Sequence, residues 1–447
     1  MTRYEKDYTL VAWTGELNFV FFQAHKIRNH TTGSFKAVSK INTSSKICLT
    51  GTPFLNSLND LYALFSFIGV EPLNDFKVFQ DAIVRMVRDG RPCGLARTRV
   101  AMGEVSLRRT KKNVQLNLPP RTQMLKKVPF PEGEHKLIHD ALYDTAKVAF
   151  AAVVSDESDS SACKEARKKL FGLVMRIRQA CCSATLLSDR HRRKLKGFSQ
   201  KLKSYDLTCL SPESGAELLI ALSRCVMDSN QEEVPNRHED EVESTSTEDV
   251  YVGPSPKIQA LLHSIKSMGD DENAVVFSSY TKFLDEIAMY FQKAGHEFTR
   301  IDGSQTDTER TKAMTDFQLE TGGPRFILCS LMAAGAGITL TRGSWVFLTD
   351  QWFNDAIMQQ AADRCCRIGQ TRPVNVVHLV MEDSIEHRML LIQKTKATVG
   401  RGSMEKLSVE DEARVQMTAM LDLFQIEVDR AYIEDDFLID SDDDDDF

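Results

Sequence analysis

Short apolar runs alternate with helical segments after Pro254, and this alternation constrains the fold more than any other feature of the sequence. The runs have the length of strands and read AVVFS (274–278), FTRIDG (298–303), RFILCS (325–330), WVFLTD (345–350) and VNVVHLV (374–380). Thr306 and Glu309 form a capping-box signature for one intervening helix, and Ser384 can cap a last one. Alternating strands and helices predict a parallel sheet covered on both faces, so residues 253–400 are expected to form an α/β lobe that folds on its own.

The first half of the chain contains a weaker version of the same pattern. Residues 17–25 begin with a strand-like run, residues 45–53 read as a second strand that ends in a Gly-Pro loop, and residues 58–68 have helical apolar spacing. We therefore assign residues 1–125 to a partial α/β lobe. Residues 126–227 are mostly helical by the same criterion and are predicted to be a helical insertion between the two lobes.

The composition fits an intracellular protein of two or three compact domains. The chain has 447 residues, of which 42% are hydrophobic, and no apolar run approaches the length needed to cross a bilayer. The first residues, MTRYEKDYTL, lack the hydrophobic core of a secretion signal. Ten cysteines occur without any Cys-x-x-Cys pair, which favours reduced thiols. The same spacing argues against a zinc ribbon or a RING module, and hence against ubiquitin-ligase activity.

Charge is distributed unevenly along the chain, although the net charge is −7. Residues 228–252 are acidic and rich in serine and threonine, which predicts a disordered linker. Residues 401–447 are predicted to be helical at first and then to form an acidic, solvated tail. Basic residues collect in KEARKK (164–169) and RHRRKLK (190–196). Such basic runs either bind nucleic-acid phosphates or form a solvated helix face, and the sequence leaves both interpretations open.

Several stretches resemble the motifs of SWI/SNF-family ATPases, which belong to helicase superfamily 2. These stretches are QQAADRCCRIGQTRPVNVVHLVMEDSIEHRML (359–390) for motif VI and the brace after it, LCSLMAAGAGITLT (328–341) for motif V, LTGTPFLNSLNDLYALFSFI (49–68) for motif III, and RIRQACC (176–182) for a further landmark. The branch that they resemble most contains helicase-like transcription factor and related DNA-repair translocases. The resemblance covers most of residues 17–397.

The resemblance implies an α/β fold with two RecA-like parallel-sheet lobes, of which the first is incomplete in this chain. It also implies ATP and Mg²⁺ as ligands, duplex DNA as the partner, and a nuclear protein of chromatin remodelling or DNA repair. Histones and other chromatin proteins are candidate partners, and no membrane is involved.

In that family, the second lobe supplies arginines that reach the γ-phosphate of ATP, and the matching residues here are Arg364 and Arg367. A guanidinium stabilises the charge that spreads over a transferred phosphoryl group. The two arginines are expected to lie one helical turn apart and to face one cleft, the alternative being a solvated helix face. The resemblance also assigns Gly335, Gly337 and Gln360 to the nucleotide site.

The resemblance assigns further residues to DNA and to the hydrolytic centre. Thr50 in the LTGTP loop and Ser330 in motif V match residues that contact DNA. The family's DEAH box, whose Asp helps to hold Mg²⁺ and whose Glu activates the attacking water, reads Phe-Gln-Ala-His in this chain. Phe22 cannot hold a cation, and Gln23 can orient a water molecule but cannot accept its proton. His25 is retained, although a lone histidine more often packs or forms hydrogen bonds.

The chain contains no Gly-x-x-x-x-Gly-Lys-Ser/Thr loop and no shortened Gly-Lys-Ser/Thr. The family's phosphate loop is expected well upstream of residue 22, where too few residues remain. The sequence therefore predicts a pseudoenzyme that binds DNA or chromatin without hydrolysing ATP. Two alternatives stay open: an active translocase or remodeller whose N-terminal part is missing from this chain, and an interaction protein whose acidic linker and tail bind histones.

Overall fold

A computed structural model of the chain shows two compact units. Unit 1 consists of Met1–Leu116 with Lys394–Thr418, and unit 2 consists of Asn117–Gln393 with Ala419–Phe447. The structure describes residues 8–13, 16–22, 24–41, 43, 45–50, 58–88, 91–107, 118–154, 161–202, 210–227, 253–333, 338–352, 355–390 and 423–424. Among these residues, no helix is long and apolar enough to span a membrane.

Unit 1 is built on a three-stranded sheet. Its strands are β1 (Tyr8–Trp13), β2 (Glu16–Phe22) and β3 (Ser45–Leu49); β1 runs antiparallel to β2, and β3 runs parallel to β2. Its helices are α1 (Gly33–Ser39), α2 (Leu58–Ile68), α3 (Phe76–Phe79), α4 (Arg85–Arg88) and α5 (Pro92–Val105), with a 3-10 turn at Ala24–Ile27 and a π-helical turn at Gln80–Val84. The apolar side of α2 packs against the sheet, where the rings of Phe21 and Phe67 meet edge to face. The predicted strands that begin near residues 17 and 45, and the helix predicted after them, are confirmed.

Unit 2 begins with one strand and a bundle of four helices. These are β4 (Arg121–Val128), α6 (Glu134–Val154), α7 (Ser161–Cys182), α8 (Asp189–Leu202) and α9 (Pro212–Val226). One apolar face of α7 is buried in this bundle and consists of Leu170, Leu173, Val174 and Ile177. The segment predicted to be a helical insertion is therefore largely helical.

The rest of unit 2 alternates strands with helices. The strands are β5 (Ala274–Ser278), β6 (Phe298–Ile301), β7 (Phe326–Ser330), β8 (Trp345–Leu348) and β9 (Val374–Met381). The helices are α10 (Pro256–Lys266), α11 (Thr281–Lys293), α12 (Asp307–Gln318) and α13 (Asp355–Ala362). With β4, the strands form one sheet in the order β4-β9-β8-β5-β7-β6, and every neighbouring pair is parallel. The five predicted strands and their parallel arrangement are confirmed.

The central strand, β5, explains why its sequence is apolar without interruption. Val275 and Phe277 belong to the core cluster on one face of the sheet, whereas Ala274 and Val276 belong to the cluster on the other face. Every residue of the strand is buried. A strand covered on both faces needs apolar side chains at successive positions rather than at alternate ones.

The strand β4 changes the domain boundary that the sequence indicates. The predicted boundary between residues 125 and 126 falls inside β4, which pairs with β9 from Arg121–Val374 to Val128–Met381. Most residues of β4 are exposed, so the strand lacks the apolar run that marks the others. Backbone hydrogen bonds to β9 define it instead. Residues 253–400 therefore do not contain the whole of their own sheet.

Both helix caps predicted in unit 2 are present. Thr306 Oγ1 accepts a hydrogen bond from the backbone N–H of Glu309 (3.4 Å), and Glu309 Oε2 accepts one from the N–H of Thr306 (2.7 Å). Ser384 Oγ accepts a hydrogen bond from the N–H of Glu386 (3.2 Å), where a helical segment begins. These caps supply acceptors to N–H groups that have no partner within the helix.

The predicted linker, 228–252, and nearly all of the predicted tail, 401–447, lie outside the described residues. Their predicted disorder and solvation therefore stay predictions. Within the tail, the structure describes Leu423 and Phe424, and both side chains are buried. An apolar pair of the tail thus packs into unit 2.

Candidate functional site

The carboxyl ends of β5, β7 and β8 lie side by side at one edge of the unit 2 sheet. Ser278 is aligned with Ser330 in the strand register, and Phe277 is aligned with Leu348. Parallel α/β sheets usually bind their ligands at this edge, where the loops leave the strands. The stretch that resembles motif V follows β7 at this edge, which is the position expected for a phosphate-binding loop.

Asp350, just after β8, fastens two of these loops together. Its buried carboxylate accepts hydrogen bonds from Ser278 Oγ (2.6 Å) and from the backbone N–H of Ser279 (2.9 Å). In addition, the N–H of Leu331 donates to the carbonyl oxygen of Ser278 (2.8 Å). These bonds hold the ends of β5, β7 and β8 together, and the carboxylate is engaged in them.

Arg364 and Arg367 lie beyond the end of α13 rather than on it. The helix ends at Ala362, and the N–H groups of Arg364 and Arg367 donate to the carbonyl oxygens of Ala361 (3.1 Å) and Cys365 (3.0 Å) in a succession of turns. The chain leaves the helix where Cys365 enters the apolar core. The predicted spacing of one helical turn is therefore wrong.

The two arginines nevertheless share one surface. Arg367 is exposed, and its Nη1 donates a hydrogen bond to Thr339 Oγ1 (3.0 Å), within the stretch that resembles motif V. Burial and the positive charge of Arg367 lower the pKa of Arg364, and Asp363 opposes that shift. Asp363 is in turn paired with Arg121 on β4, at 3.2 Å. Two guanidinium groups, those of Arg364 and Arg367, are thus close enough to repel each other, and an anionic ligand would relieve this repulsion.

Gln370 follows the arginines and holds their loop in place. It is buried, and its amide nitrogen donates to the carbonyl oxygens of Gly343 (3.0 Å) and Cys365 (3.2 Å). Its amide oxygen accepts hydrogen bonds from the N–H groups of Thr371 (3.0 Å) and Arg372 (2.9 Å). Because these bonds fix the loop on both sides, Gln370 is a positioning residue rather than a surface amide.

Three other residues assigned from the sequence lie on separate elements. Ser330 is buried at the end of β7, and its Oγ accepts a hydrogen bond from the N–H of Ala333 (3.2 Å). Gln360 is half-buried on α13, and Thr50 directly follows β3 in unit 1. The roles of these three residues in binding DNA or nucleotide stay predictions.

Part of the predicted site falls outside the described residues. It consists of Gly335 and Gly337 of motif V, Gln23, and the side chains of Phe22 and His25. The backbone at residue 22 ends β2, and the backbone at residue 25 belongs to the 3-10 turn that follows. The position that resembles the DEAH box therefore begins at the last residue of β2, which is paired in parallel with β3.

Sequence reasoning misses two buried cations that bind the backbone just beyond β8. The first is Arg178, which extends from α7 and donates from Nη2 to the carbonyl oxygen of Gln351 (2.5 Å). Its guanidinium also lies 5.7 Å from the ring centroid of Tyr280 and 5.1 Å from that of Trp352. The helical bundle is thereby attached to the chain that leads from β8 towards Arg364. The resemblance of its surroundings, RIRQACC, is the only signal for it in the sequence.

The second buried cation is Lys257 of α10. Its Nζ donates to the carbonyl oxygen of Thr349 (2.7 Å) and pairs with the carboxylate of Glu386 (2.5 Å). Burial alone lowers the pKa of Lys257, but the adjacent Glu386 carboxylate raises it above the ordinary value. The lysine therefore stays charged while it holds the backbone after β8. A single lysine in an amphipathic helix carries no sequence signal for such a role.

Comparison with known proteins gives two domain matches. The SNF2-related domain matches residues 11–186, and the helicase conserved C-terminal domain matches residues 256–369. The second match contains Arg364 and Arg367, as well as the loop that follows β7.

Curated relatives are similar over most of the chain. The putative SWI/SNF-related matrix-associated actin-dependent regulator of chromatin subfamily A member 3-like 1 of Arabidopsis thaliana is 28% identical over 457 residues, which cover 92% of this chain and 51% of that protein. Helicase-like transcription factor of Homo sapiens is 29% identical over 442 residues, which cover 87% of this chain and 43% of that protein. The chain thus spans about half the length of the curated relatives it matches. Among solved structures, the C-terminal part of the Fun30 ATPase domain has a TM-score of 0.44 at 21% identity, covering 69% of this chain and 99% of that one.

Proposed function

We propose that this chain binds duplex DNA in the nucleus without hydrolysing ATP by itself. The proposal starts from its membership of the SWI2/SNF2-type family of helicase-like ATPases. The observation that carries the phosphate site is the pair of arginines in the loop between α13 and β9. Arg367 is exposed beside Thr339, and its charge adds to that of Arg364. Neighbouring guanidinium groups bind phosphate oxygens through charge-assisted hydrogen bonds.

In this proposal, Arg364 and Arg367 face the phosphates of a nucleotide. Gly335, Gly337 and Gln360 are the further residues proposed to contact the nucleotide, and the buried Gln370 keeps the arginines in position. Bound ATP with Mg²⁺ would supply a phosphoryl group on which charge develops during transfer, and guanidinium groups stabilise such charge.

The residues at the DEAH-like position do not fit hydrolysis. Phe22 offers no oxygen ligand to Mg²⁺, which prefers carboxylate and water oxygens. Gln23 is neutral and cannot accept a proton from water, and the loss of a general base costs about 10²- to 10⁴-fold in rate. The proposed function is therefore DNA binding without turnover.

Protection of arginines from phenylglyoxal, a reagent specific for guanidinium groups, tests the phosphate site. We expect millimolar ATP to slow the modification of Arg367, measured by mass spectrometry of the digested chain. Arg372 is the internal control, because it is also exposed in the loop before β9 but pairs with Asp271. Equal protection of the two arginines, or protection of neither, would show that Arg367 does not face a phosphate site.

Fluorescence anisotropy of a labelled duplex tests the DNA-binding part of the proposal. We expect weak binding without sequence preference, with Thr50 and Ser330 as candidate contacts. Neutralising phosphates releases counterions, so the affinity should fall steeply as salt rises from about 50 to 200 mM. Binding that is absent at low salt, or that does not change with salt, would contradict the proposal.

A further inference from the structure

The C-terminal part of the chain is fastened to the helical bundle by two residues. Leu423 and Phe424 are almost fully buried, at 1% and 0% exposed. The ring of Phe424 stacks on Tyr143 of α6, with centroids 5.6 Å apart at an angle of 23°, and meets Phe150 edge to face at 5.7 Å. Tyr143 Oη also donates a hydrogen bond to the carbonyl oxygen of Leu423 (2.8 Å). The residues after Phe424 therefore start from a fixed point on the bundle.

The same bundle carries a basic helix face. On α8, the side chains of Arg190, Arg193 and Lys194 are exposed, and their spacing of three and four residues places them on one side of the helix. Leu195 and His191, on the other side, are buried in the bundle. We call the three exposed residues the basic face.

Neighbouring cations of α8 are already paired. Glu134 of α6 lies 3.0 Å from Lys196 Nζ and 3.8 Å from Arg192 Nη1, and Arg192 also pairs with Asp189. Within the described part of the chain, the side chains of the basic face form no ion pair with an acidic residue. Gly197 continues this side of the helix, and the position of its absent Cβ has no neighbour within 4 Å, so a polyanion can approach the backbone there.

We infer that the basic face is the docking site of the acidic end of this same chain, residues 434–446. The 23 residues after Phe424 contain eleven acidic side chains and one basic side chain, and five successive aspartates lie at 442–446. The charges of the two surfaces are opposite, and both belong to unit 2.

The length of the chain after Phe424 is sufficient for this contact. A flexible segment of 10 to 22 residues has a root-mean-square span of about 16–28 Å. The helix α6 holds the anchor at Tyr143 and pairs with Lys196 of α8 at Glu134, which lies about 14 Å away along α6. Tethering of this kind gives an effective concentration in about the millimolar range, so contacts that are weak one by one can be occupied in the intact chain.

Docking in this manner covers a surface that would otherwise attract nucleic acid. The acidic segment and a duplex would then compete for the same three cations, and removal of residues 425–447 would strengthen DNA binding. The docking itself does not depend on the proposed DNA binding, and it is tested below without any nucleic acid. Its failure and the failure of the proposed function are therefore distinguishable.

The first test uses a fluorescent peptide of residues 425–447 and the chain ended after Phe424, which keeps the anchor. At low salt we expect saturable binding, and Arg193→Glu/Lys194→Glu should weaken it at least about tenfold, since attraction becomes repulsion at two positions. The matched control is Lys266→Glu/Lys312→Glu, which makes the same change of charge at exposed lysines of α10 and α12 and should change binding less than about twofold. No binding of the peptide, or equal weakening by the two double variants, overturns the inference.

The second test uses the full chain and a carbodiimide, which couples a lysine amine directly to a carboxylate. We expect a coupled product within the monomer between Lys194 and residues 434–446, identified by mass spectrometry. Lys194→Arg keeps the charge but removes the amine, so the product should disappear while the peptide of the first test still binds. Coupling of the acidic segment to Lys266 instead of Lys194 would show that the segment docks elsewhere, and absence of coupling to either lysine would show that it does not dock.

Discussion

Replacing Lys257 with methionine should destabilise unit 2 more than almost any other single change. Lys257 Nζ bonds to the Glu386 carboxylate and to the carbonyl oxygen of Thr349, and both charged side chains are excluded from solvent. The other oxygen of Glu386 accepts a hydrogen bond from the N–H of Met381 (3.1 Å). The pair thereby joins α10, at the start of the lobe, to the chain beyond β9, at its end.

The size of the effect follows from what the substitution leaves behind. Lys257→Met keeps the apolar stem but leaves a buried carboxylate without a counter-charge, which typically costs about 3–5 kcal/mol. The carbonyl oxygen of Thr349 also loses a donor, which adds about 1 kcal/mol. The double variant Lys257→Met/Glu386→Gln removes both charges, and a glutamine oxygen can still accept from Met381. We therefore expect the double variant to regain at least about 2 kcal/mol relative to Lys257→Met.

The assay is urea unfolding at pH 7, followed by tryptophan fluorescence. Two of the three tryptophans, Trp345 and Trp352, lie in unit 2 and report on it. The free energy of unfolding should fall in the order wild type, double variant, Lys257→Met. The reasoning is refuted if Lys257→Met lies within about 1 kcal/mol of wild type, or if the double variant loses the sum of the two single losses.

Two further predictions concern the folding unit and its dependence on pH. Residues 117–393 should unfold cooperatively in urea, whereas residues 253–393 should show a broad transition. The shorter segment lacks β4 and also Arg178, which is bonded to the backbone at Gln351. Equal cooperativity of the two segments would argue against this boundary. His139 should make the stability depend on pH: burial opposes its charge, yet Cys181 and Asp140 raise the pKa of His139 to about 9. The charged ring therefore stabilises the fold fully below about pH 6.5, and this contribution is lost as the pH rises through 9, a loss that should vanish in His139→Phe.

The sequence predicts those elements of unit 2 whose burial or capping leaves a pattern in consecutive or nearby residues. The strand β5 is recognisable because every residue from Ala274 to Ser278 is buried, so each position needs an apolar or small side chain. The helix α12 is recognisable because its capping residues, Thr306 and Glu309, are three positions apart in the sequence and hydrogen-bonded to each other in the structure. Local signals of this kind depend on neighbours within a few residues.

The parts that the sequence misses depend on distant partners. The strand β4 is exposed along most of its length, and it exists because β9, more than 240 residues later, supplies its hydrogen bonds. In the sequence, Arg178 resembles a surface arginine. In the structure it is bonded to Gln351 and lies against two aromatic rings. The end of α13 before Arg364 depends on the burial of Cys365, which no local pattern reveals. Such contacts appear only when the whole sheet is assembled.

The release of phosphate from ATP with Mg²⁺, measured with and without duplex DNA, tests the central claim most directly. The claim is that the chain binds DNA but does not hydrolyse ATP by itself, since Phe22 and Gln23 stand where a hydrolase needs carboxylates. We predict the same background rate with and without DNA, unchanged in Arg367→Ala, in samples where anisotropy shows bound duplex. Phosphate release that duplex DNA stimulates and that Arg367→Ala abolishes would contradict the claim.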